Sequence, residues 1–214
     1  MDESTTREKV LKKIRKALIH KTRNPYPNLD YETSVYATSD EPNEITFVQQ
    51  FTAVNGQFVF CENEEEFTSQ LQALVAERGW KNCYCQEKKI SEHLDKADFK
   101  YAADENGLKL AEVGITGCEN LIARTGSILV SSRQLGGRKS AVFPAIHITL
   151  AYTSQLVYDI KDAIQSIKNN YGDSIPSMIT LITGPSRSAD IEKTLVMGAH
   201  GPKEVFVFLI DNAS

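Results

Sequence analysis

Apolar positions recur along this chain with two periods, and the changes of period mark out its elements. Within Thr5–Ile19, Val10, Leu11, Ile14 and Leu18 follow helical spacing, while Lys and Arg fill the other face. Glu44–Val54 sets Phe47, Val48 and Phe51 on one helical face, Asn55-Gly56 turns, and Gln57–Cys61 reads as a strand. Glu64–Arg78 predicts a helix with Phe67, Leu71, Leu74 and Val75 inward, stopped by Gly79. Asn82–Gln86 predicts a short strand and Lys88–Ala97 a short helix. Leu108–Val113 is strand-like and Gly114–Gly117 reads as a turn. Leu121–Arg124 and Ser127–Ser132 flank Thr125-Gly126 as a strand pair, followed by a Gly-rich loop over Gln134–Arg138. Ile146–Tyr152 is a strand, and Leu156, Ile160, Ile164 and Ile167 set a helix over Gln155–Asn169. Alternating strands and helices imply an α/β fold with a mostly parallel sheet covered on both faces.

The last third holds the most informative stretch, Met178–Asp211. Met178–Ile182 is an apolar run rich in β-branched residues, and Gly184 and Pro185 end it. Ser186 or Ser188 suits a helix cap, Asp190 and Glu192 suit a helix's positive first turn, and Ile191 and Leu195 lie four apart. Glu204–Ile210 then reads as a second strand, parallel to the first. That pattern places the Thr183–Ser188 turn between a strand's carboxyl end and a helix's amino end, where α/β sheets bind ligands.

Between the first helix and Glu44, Pro25, Pro27 and Pro42 and the tyrosines Tyr26, Tyr31 and Tyr36 sit in a polar segment without period. The chain is therefore expected to divide into an N-terminal helix and extended linker, residues 1–43, and an α/β domain, residues 44–214. The basic helix is expected to cover a surface of its own domain or of a dimer mate, or to dock on a partner.

Composition narrows the function classes. A hydrophobic share of 41% over 214 residues supports a proper core, and a net charge of −4 argues against nucleic-acid binding. No apolar run approaches the roughly 20 residues that span a bilayer. Without an apolar leader after Met1, a cytoplasmic protein is expected. Of Cys61, Cys83, Cys85 and Cys118 only Cys83 and Cys85 are close, as C-x-C, whereas zinc and iron–sulfur sites use C-x₂-C pairs or longer runs. The four thiols are expected to be reduced and mostly buried, with no metal site and no cofactor.

Candidate chemistry gathers at two turns. In Thr183–Asp190, backbone N–H groups at Gly184, the hydroxyl of Ser186, the guanidinium of Arg187 and Asp190 suit a phosphate or carboxylate ligand; helix capping explains the same residues equally well. No Gly-Lys-Ser/Thr follows, and G-x-G-x-x-G is absent. Gly117 and Thr125-Gly126-Ser127 form the second candidate, small enough for a ligand to approach the backbone, or plain turn chemistry. Arg133, Arg138 and Lys139 offer a basic rim. His147, before the middle of its strand, and His200, in Ala199-His200-Gly201-Pro202, are candidate bases or orienting donors, and Glu119 is a candidate carboxylate.

TGPSRSADIE followed by MGAHGPKEVFVFLID resembles the LUD-domain proteins of the lactate utilisation protein C family. The upstream blocks GITGCENLIARTGSILV and RKSAVFPAIHITLAYTSQLV are similar to the same family in the same order, and together the blocks run from Glu112 to Asp211. The matching positions are Gly117, Thr125, Gly126, Ser140, Pro144, His147, Thr183–Arg187, Asp190, His200 and Gly201. Ser188 stands where the family pattern has Thr, and Cys118 where it has a small residue such as Ala. The resemblance implies a three-layer α/β/α sandwich similar to sugar-phosphate isomerases and coenzyme A transferases. It also implies an accessory role in oxidising L-lactate beside iron–sulfur partner proteins, with this chain as the cluster-free component. Such a subunit would bind a small carboxylate or a partner at the cleft between the two glycine-rich blocks. The alternative is a stand-alone isomerase or transferase acting on a phosphorylated or coenzyme A-linked substrate.

Overall fold

The computed structural model describes residues 5–19, 23–30, 39–134, 137–189 and 195–212. Tyr31, Tyr36, Asp190, Ile191 and Glu192 therefore lie outside the described residues. The chain divides into two units, Met1–Thr38 and Ser39–Ser214. The first holds α1 (Thr6–Ile19), as its apolar spacing predicts. Thr5 and Glu8 start it with reciprocal hydrogen bonds between side chain and backbone.

The second unit runs α2 (Asn43–Ala53), β1 (Gln57–Cys61), α3 (Glu64–Arg78), β2 (Cys83–Cys85), α4 (Lys88–Lys96), α5 (Glu105–Leu110), β3 (Val113–Thr116), β4 (Asn120–Ile122), β5 (Ser127–Ser131), α6 (Gly137–Val142), β6 (Ile146–Tyr152), β7 (Leu156–Val157), α7 (Ile160–Tyr171), β8 (Ile179–Ile182), β9 (Arg187–Ala189), β10 (Leu195–Met197) and β11 (Glu204–Ile210). Five strands form a wholly parallel sheet in the order β1-β11-β6-β3-β2. β11 is its clearest internal strand. Phe206, Phe208 and Ile210 face one core, and Val205, Val207 and Leu209 face another, so the strand reads as a continuous apolar run. α3 and α4 cover the first face with Phe67, Leu71, Ile90 and Leu94, and Phe67 meets Phe208 edge-on at 5.4 Å.

This is the α/β fold with a mainly parallel central sheet and flanking helices that the sequence predicts. The other face adds a layer the sequence does not announce. α2 shares it with a second, four-stranded sheet of order β7-β4-β5-β8, which brings Leu121, Ile128 and Val130 onto the parallel sheet. That second sheet turns Ile122 and Leu129 outward onto Ala163 and Ile167 of α7.

Three expectations change. Met178–Asp211 is not a strand, helix and parallel strand. β8 belongs to the second sheet, antiparallel to β5, and β9 pairs antiparallel with β10, so Leu195 lies on a strand. The helix signals there are local, whereas tertiary contacts hold the flanking strands β9 and β10: the Ser186 N–H donates to the Pro202 carbonyl and the Gly198 N–H to the Ser186 carbonyl. Next, Leu108 belongs to α5, capped by Asp104, and Gly114 lies within β3 rather than in a turn. A side chain on Gly114 would sit 2.0 Å from the Ser140 carbonyl oxygen, so the glycine marks where α6 lies against the strand. Last, the helix expected from Gln155 starts at Ile160. Asp159 caps it with a reciprocal bond to Asp162, and Arg124 holds Asp159 at 2.9 and 3.0 Å. That pairing keeps the Asp159 carboxyl below its ordinary range. Leu156, ahead of the cap, pairs with Leu121 as part of β7.

Candidate functional site

A cavity of about 560 Å³ opens at the carboxyl ends of β2, β3 and β6. Parallel strands deliver their following loops to this edge, so residues distant in sequence converge there. Glu87 arrives after β2, Gly117, Cys118 and Glu119 after β3, and Leu150 and Tyr152 from β6. The second sheet and α7 close the other side with Arg133, Gln134 and Tyr171.

Two carboxylates share this space in unlike settings. Glu87 accepts the Gly117 N–H at 2.9 Å, and its other oxygen lies 2.9 Å from where a Gly117 side chain would begin. The Gln134 amide nitrogen stands 3.6 Å from the same point. Burial pushes the Glu87 carboxyl up to about 7; the Gly117 N–H works against that rise and the charge of Glu119 adds to it. Glu119 instead accepts hydroxyl hydrogen bonds from Ser131 at 2.5 Å and from Tyr171 at 2.9 Å, which suit the acceptor-only oxygens of a carboxylate. The Arg133 guanidinium lies 5.8 Å above the Tyr171 ring and donates to the Ser174 carbonyl at 2.7 Å. Gln155 locks the loop, donating to the Cys118 carbonyl at 2.6 Å and accepting from the Tyr152 N–H at 2.9 Å.

Behind Gly117 runs a buried polar chain. The Thr116 hydroxyl donates to the Gly117 carbonyl at 3.0 Å and lies 2.8 Å from Nε2 of His147. The same nitrogen lies 3.3 Å from the Thr149 hydroxyl. His147 is wholly buried, which lowers its pKa to about 4. Nδ1 of His147, Oγ of Ser140 and Oδ1 of Asn120 are buried without a hydrogen-bond partner among the described residues. The four thiols, Cys61, Cys83, Cys85 and Cys118, are buried, and burial raises each: Cys61 and Cys83 to about 11, Cys85 to about 12, Cys118 furthest. Among the described residues no three His, Cys, Asp or Glu side chains gather to hold a metal.

The other sequence-derived site residues meet away from this cavity. Ser127 is 2.8 Å from the hydroxyls of both Thr125 and Thr183, so the two glycine-bearing turns do come together. They close on the end of α2. Gly126 (φ +56°) would place a side chain 2.3 Å from the Phe51 nitrogen, and Gly184 (φ +74°) would place one 2.4 Å from the Val54 carbonyl oxygen. Arg187 donates to that Val54 carbonyl at 2.7 Å, closing the helix's C-terminal end. A smaller cavity of about 240 Å³ lies beside them, lined by Thr183, Gly184, Ser186, His200 and Gly201, near the amino end of β11.

The LUD domain profile matches residues 46–210, well over half of the chain. The chain belongs to the LUD domain family. Lactate utilization protein C of Bacillus licheniformis is 36% identical over 115 residues, 52% of this chain and 48% of that protein. Its Bacillus subtilis counterpart is 37% identical over 113 residues, 50% and 47%. These matches span about half the length of those relatives. A third, from Anoxybacillus flavithermus, is 28% identical and covers 76% of this chain and 78% of that one. A crystal structure of a DUF162 family protein from Deinococcus radiodurans shares the fold, with a TM-score of 0.60 and 16% identity over 78% of this chain and 96% of that one.

Within this LUD domain, the sequence-derived candidates thus separate. Gly117 and Glu119 line the carboxyl-edge cavity, and His147 stands behind it. Thr125, Gly126, Ser127, Thr183, Gly184, Ser186, Arg187 and His200 gather around α2 and the smaller cavity. Glu87, Gln134 and Tyr171 were not among the sequence candidates. Glu87 had a usable signal, an acid one step past a short strand in an alternating α/β pattern. Gln134 and Tyr171 had none, because the second sheet and α7 bring them in.

Proposed function

We propose that this LUD-domain chain is a cytoplasmic accessory component of an L-lactate oxidation system, working beside iron–sulfur partner proteins and binding a small carboxylate in the carboxyl-edge cavity. The names of its relatives support the pathway. The observation that carries the ligand is the cavity itself: Glu87 and Glu119, in unlike settings, within a space rimmed by Lys88, Lys89 and Arg133. Cations at the mouth attract an organic acid, and carboxyl, phenol and amide groups inside suit a hydroxyl or carbonyl oxygen.

Titration calorimetry with L-lactate and pyruvate tests the ligand. Saturable binding that Arg133→Ala weakens by about tenfold is expected, the loss of one charged contact. Deleting the gene is expected to abolish growth on lactate. No heat with either acid, together with normal growth of the deletion strain, would overturn the reading.

A second reading, a stand-alone proton-transfer enzyme of the isomerase or transferase type, is favoured by the same two carboxylates, whose surroundings differ as those of an acid and a base do. It predicts that phosphosugars or coenzyme A thioesters raise the melting temperature.

A further inference from the structure

We infer that the carboxyl-edge cavity takes up a 2-hydroxy or 2-oxo monocarboxylate together with one proton, and that Glu87 carries that proton. This rests on the carboxylate-binding reading and adds a condition to it.

The geometry gives the two acids different tasks. Oε1 of Glu87 is committed to the Gly117 N–H, while Oε2 makes no hydrogen bond among the described residues. Glu119 is held by the hydroxyls of Ser131 and Tyr171, both aimed at an acceptor. An incoming carboxylate would be the third anion in the space. Protonating Oε2 removes one of those charges and turns an acceptor into an O–H donor beside the amide nitrogen of Gln134. Two adjacent donors suit a ligand's carboxylate oxygens.

The other titratable and charged groups facing Glu87 come from several elements. From its own helix come Lys88 and Lys89, both exposed and at the rim. The loop after β5 brings Arg133, permanently charged. β2 brings Cys85, which burial raises to about 12. The segment after β3 brings Cys118 and Glu119, the thiol raised by burial. Tyr152 of β6 and Tyr171 of α7 are phenols raised by burial. Burial and the neighbouring Glu119 charge raise Glu87 itself to about 7.

The rest of the cavity is apolar, with Ile90, Leu150 and the rings of Tyr152 and Tyr171 on its wall. That leaves room for a side chain longer than a methyl group. The test panel therefore runs from L-lactate and pyruvate to 3-phenyllactate and phenylpyruvate.

The experiment is titration calorimetry from about pH 5.5 to about pH 8.5, in buffers of differing ionisation heat. Above pH 7, affinity is expected to fall about tenfold per pH unit, with about one proton taken up per ligand bound. Glu87→Gln keeps an acceptor for the Gly117 N–H and adds a donor. It is expected to bind at every pH with the affinity the natural chain shows at low pH, and to take up no proton. Glu119→Gln is expected to keep the pH slope. Carboxyl carbon NMR without ligand should show Glu87 titrating near 7, and a midpoint in the ordinary glutamate range would overturn the proposal. So would a flat pH profile, or a slope that survives Glu87→Gln. Those results leave carboxylate binding standing. Absence of binding by every acid at low pH overturns both.

Discussion

The two edges of the parallel sheet use polar residues in opposite ways. At the carboxyl edge, Glu87, Glu119, Gln134 and Arg133 surround open space, and part of their hydrogen-bonding capacity faces it. At the amino side, Thr125, Ser127 and Thr183 bond one another, and Arg187 is committed to the end of α2. Glycines differ in the same sense. Gly117 makes room for a carboxylate side chain, whereas Gly126 and Gly184 make room for backbone. Glycine, hydroxyl and guanidinium groups in a loop can cradle a ligand or clamp two loops to a helix; what they touch decides which.

The sharpest way to break this contrast is to add a methyl group at each glycine. Gly126→Ala and Gly184→Ala meet main-chain atoms at 2.3 and 2.4 Å and sit at positive φ, so neither neighbour nor conformation can yield cheaply. Each is expected to cost about 3 kcal/mol or more in urea unfolding. Gly117→Ala meets the far end of the Glu87 side chain at 2.9 Å. It is expected to cost about 1 kcal/mol while displacing Glu87 and abolishing acid binding. Equal destabilisation at all three positions would erase the difference between the edges.

A second pair of effects follows from pH. His147 is held neutral, its pKa lowered from 6.5 to about 4. Its contribution is therefore complete above 6.5 and is lost as pH falls toward 4, up to about 3 kcal/mol. Glu87 runs the other way. With its pKa raised from 4.5 to about 7, its contribution is complete below 4.5 and is lost as pH rises to 7; the loss is roughly 2–3 kcal/mol. The two slopes oppose each other between about 4.5 and 6.5 and mask one another in the whole protein. Urea midpoints across pH should separate them: His147→Gln flattens the loss of stability toward acid, and Glu87→Gln flattens the loss of stability as pH rises toward neutral. A His147→Gln variant with an unchanged acid limb would show that His147 is not the buried neutral group.

How much of this was legible in the sequence depended on how far away each cause lay. β1, α3, β6 and β11 follow from local period, because burial on one face or two leaves its mark residue by residue. α3 even shows its stop, since Gly79 takes the left-handed conformation that ends it. Gly114 was misread as a turn because the reason for it, the Ser140 carbonyl, lies on another element. The Arg187–Met197 segment was misread because serine and acidic residues resemble a helix start, while the bonds from Ser186 to Pro202 and Gly198 are long-range or depend on them. The cavity suffered most. Glu119 and Gly117 stood in a recognisable block, but Glu87 joins them only through the parallel pairing of β2 with β3. Tyr171 joins through a second sheet that no alternation of strands and helices announced.

The smallest expected effect discriminates best between the edges. Arg187 is exposed and donates a charged hydrogen bond to the Val54 carbonyl. Arg187→Ala should cost about 1 kcal/mol, because solvent replaces much of an exposed contact. A calorimetric titration with the same acids should be unchanged within about twofold, since the carboxyl-edge cavity does not include this residue. Arg187→Lys keeps the charge but loses the planar fork, so it separates a helix-end role from an anion contact: a lysine can still reach one carbonyl, whereas a two-point carboxylate contact would suffer. Loss of acid binding in both variants, with unfolding unaffected, would move the ligand to the Thr183–Arg187 turn and reverse the assignment of the two edges.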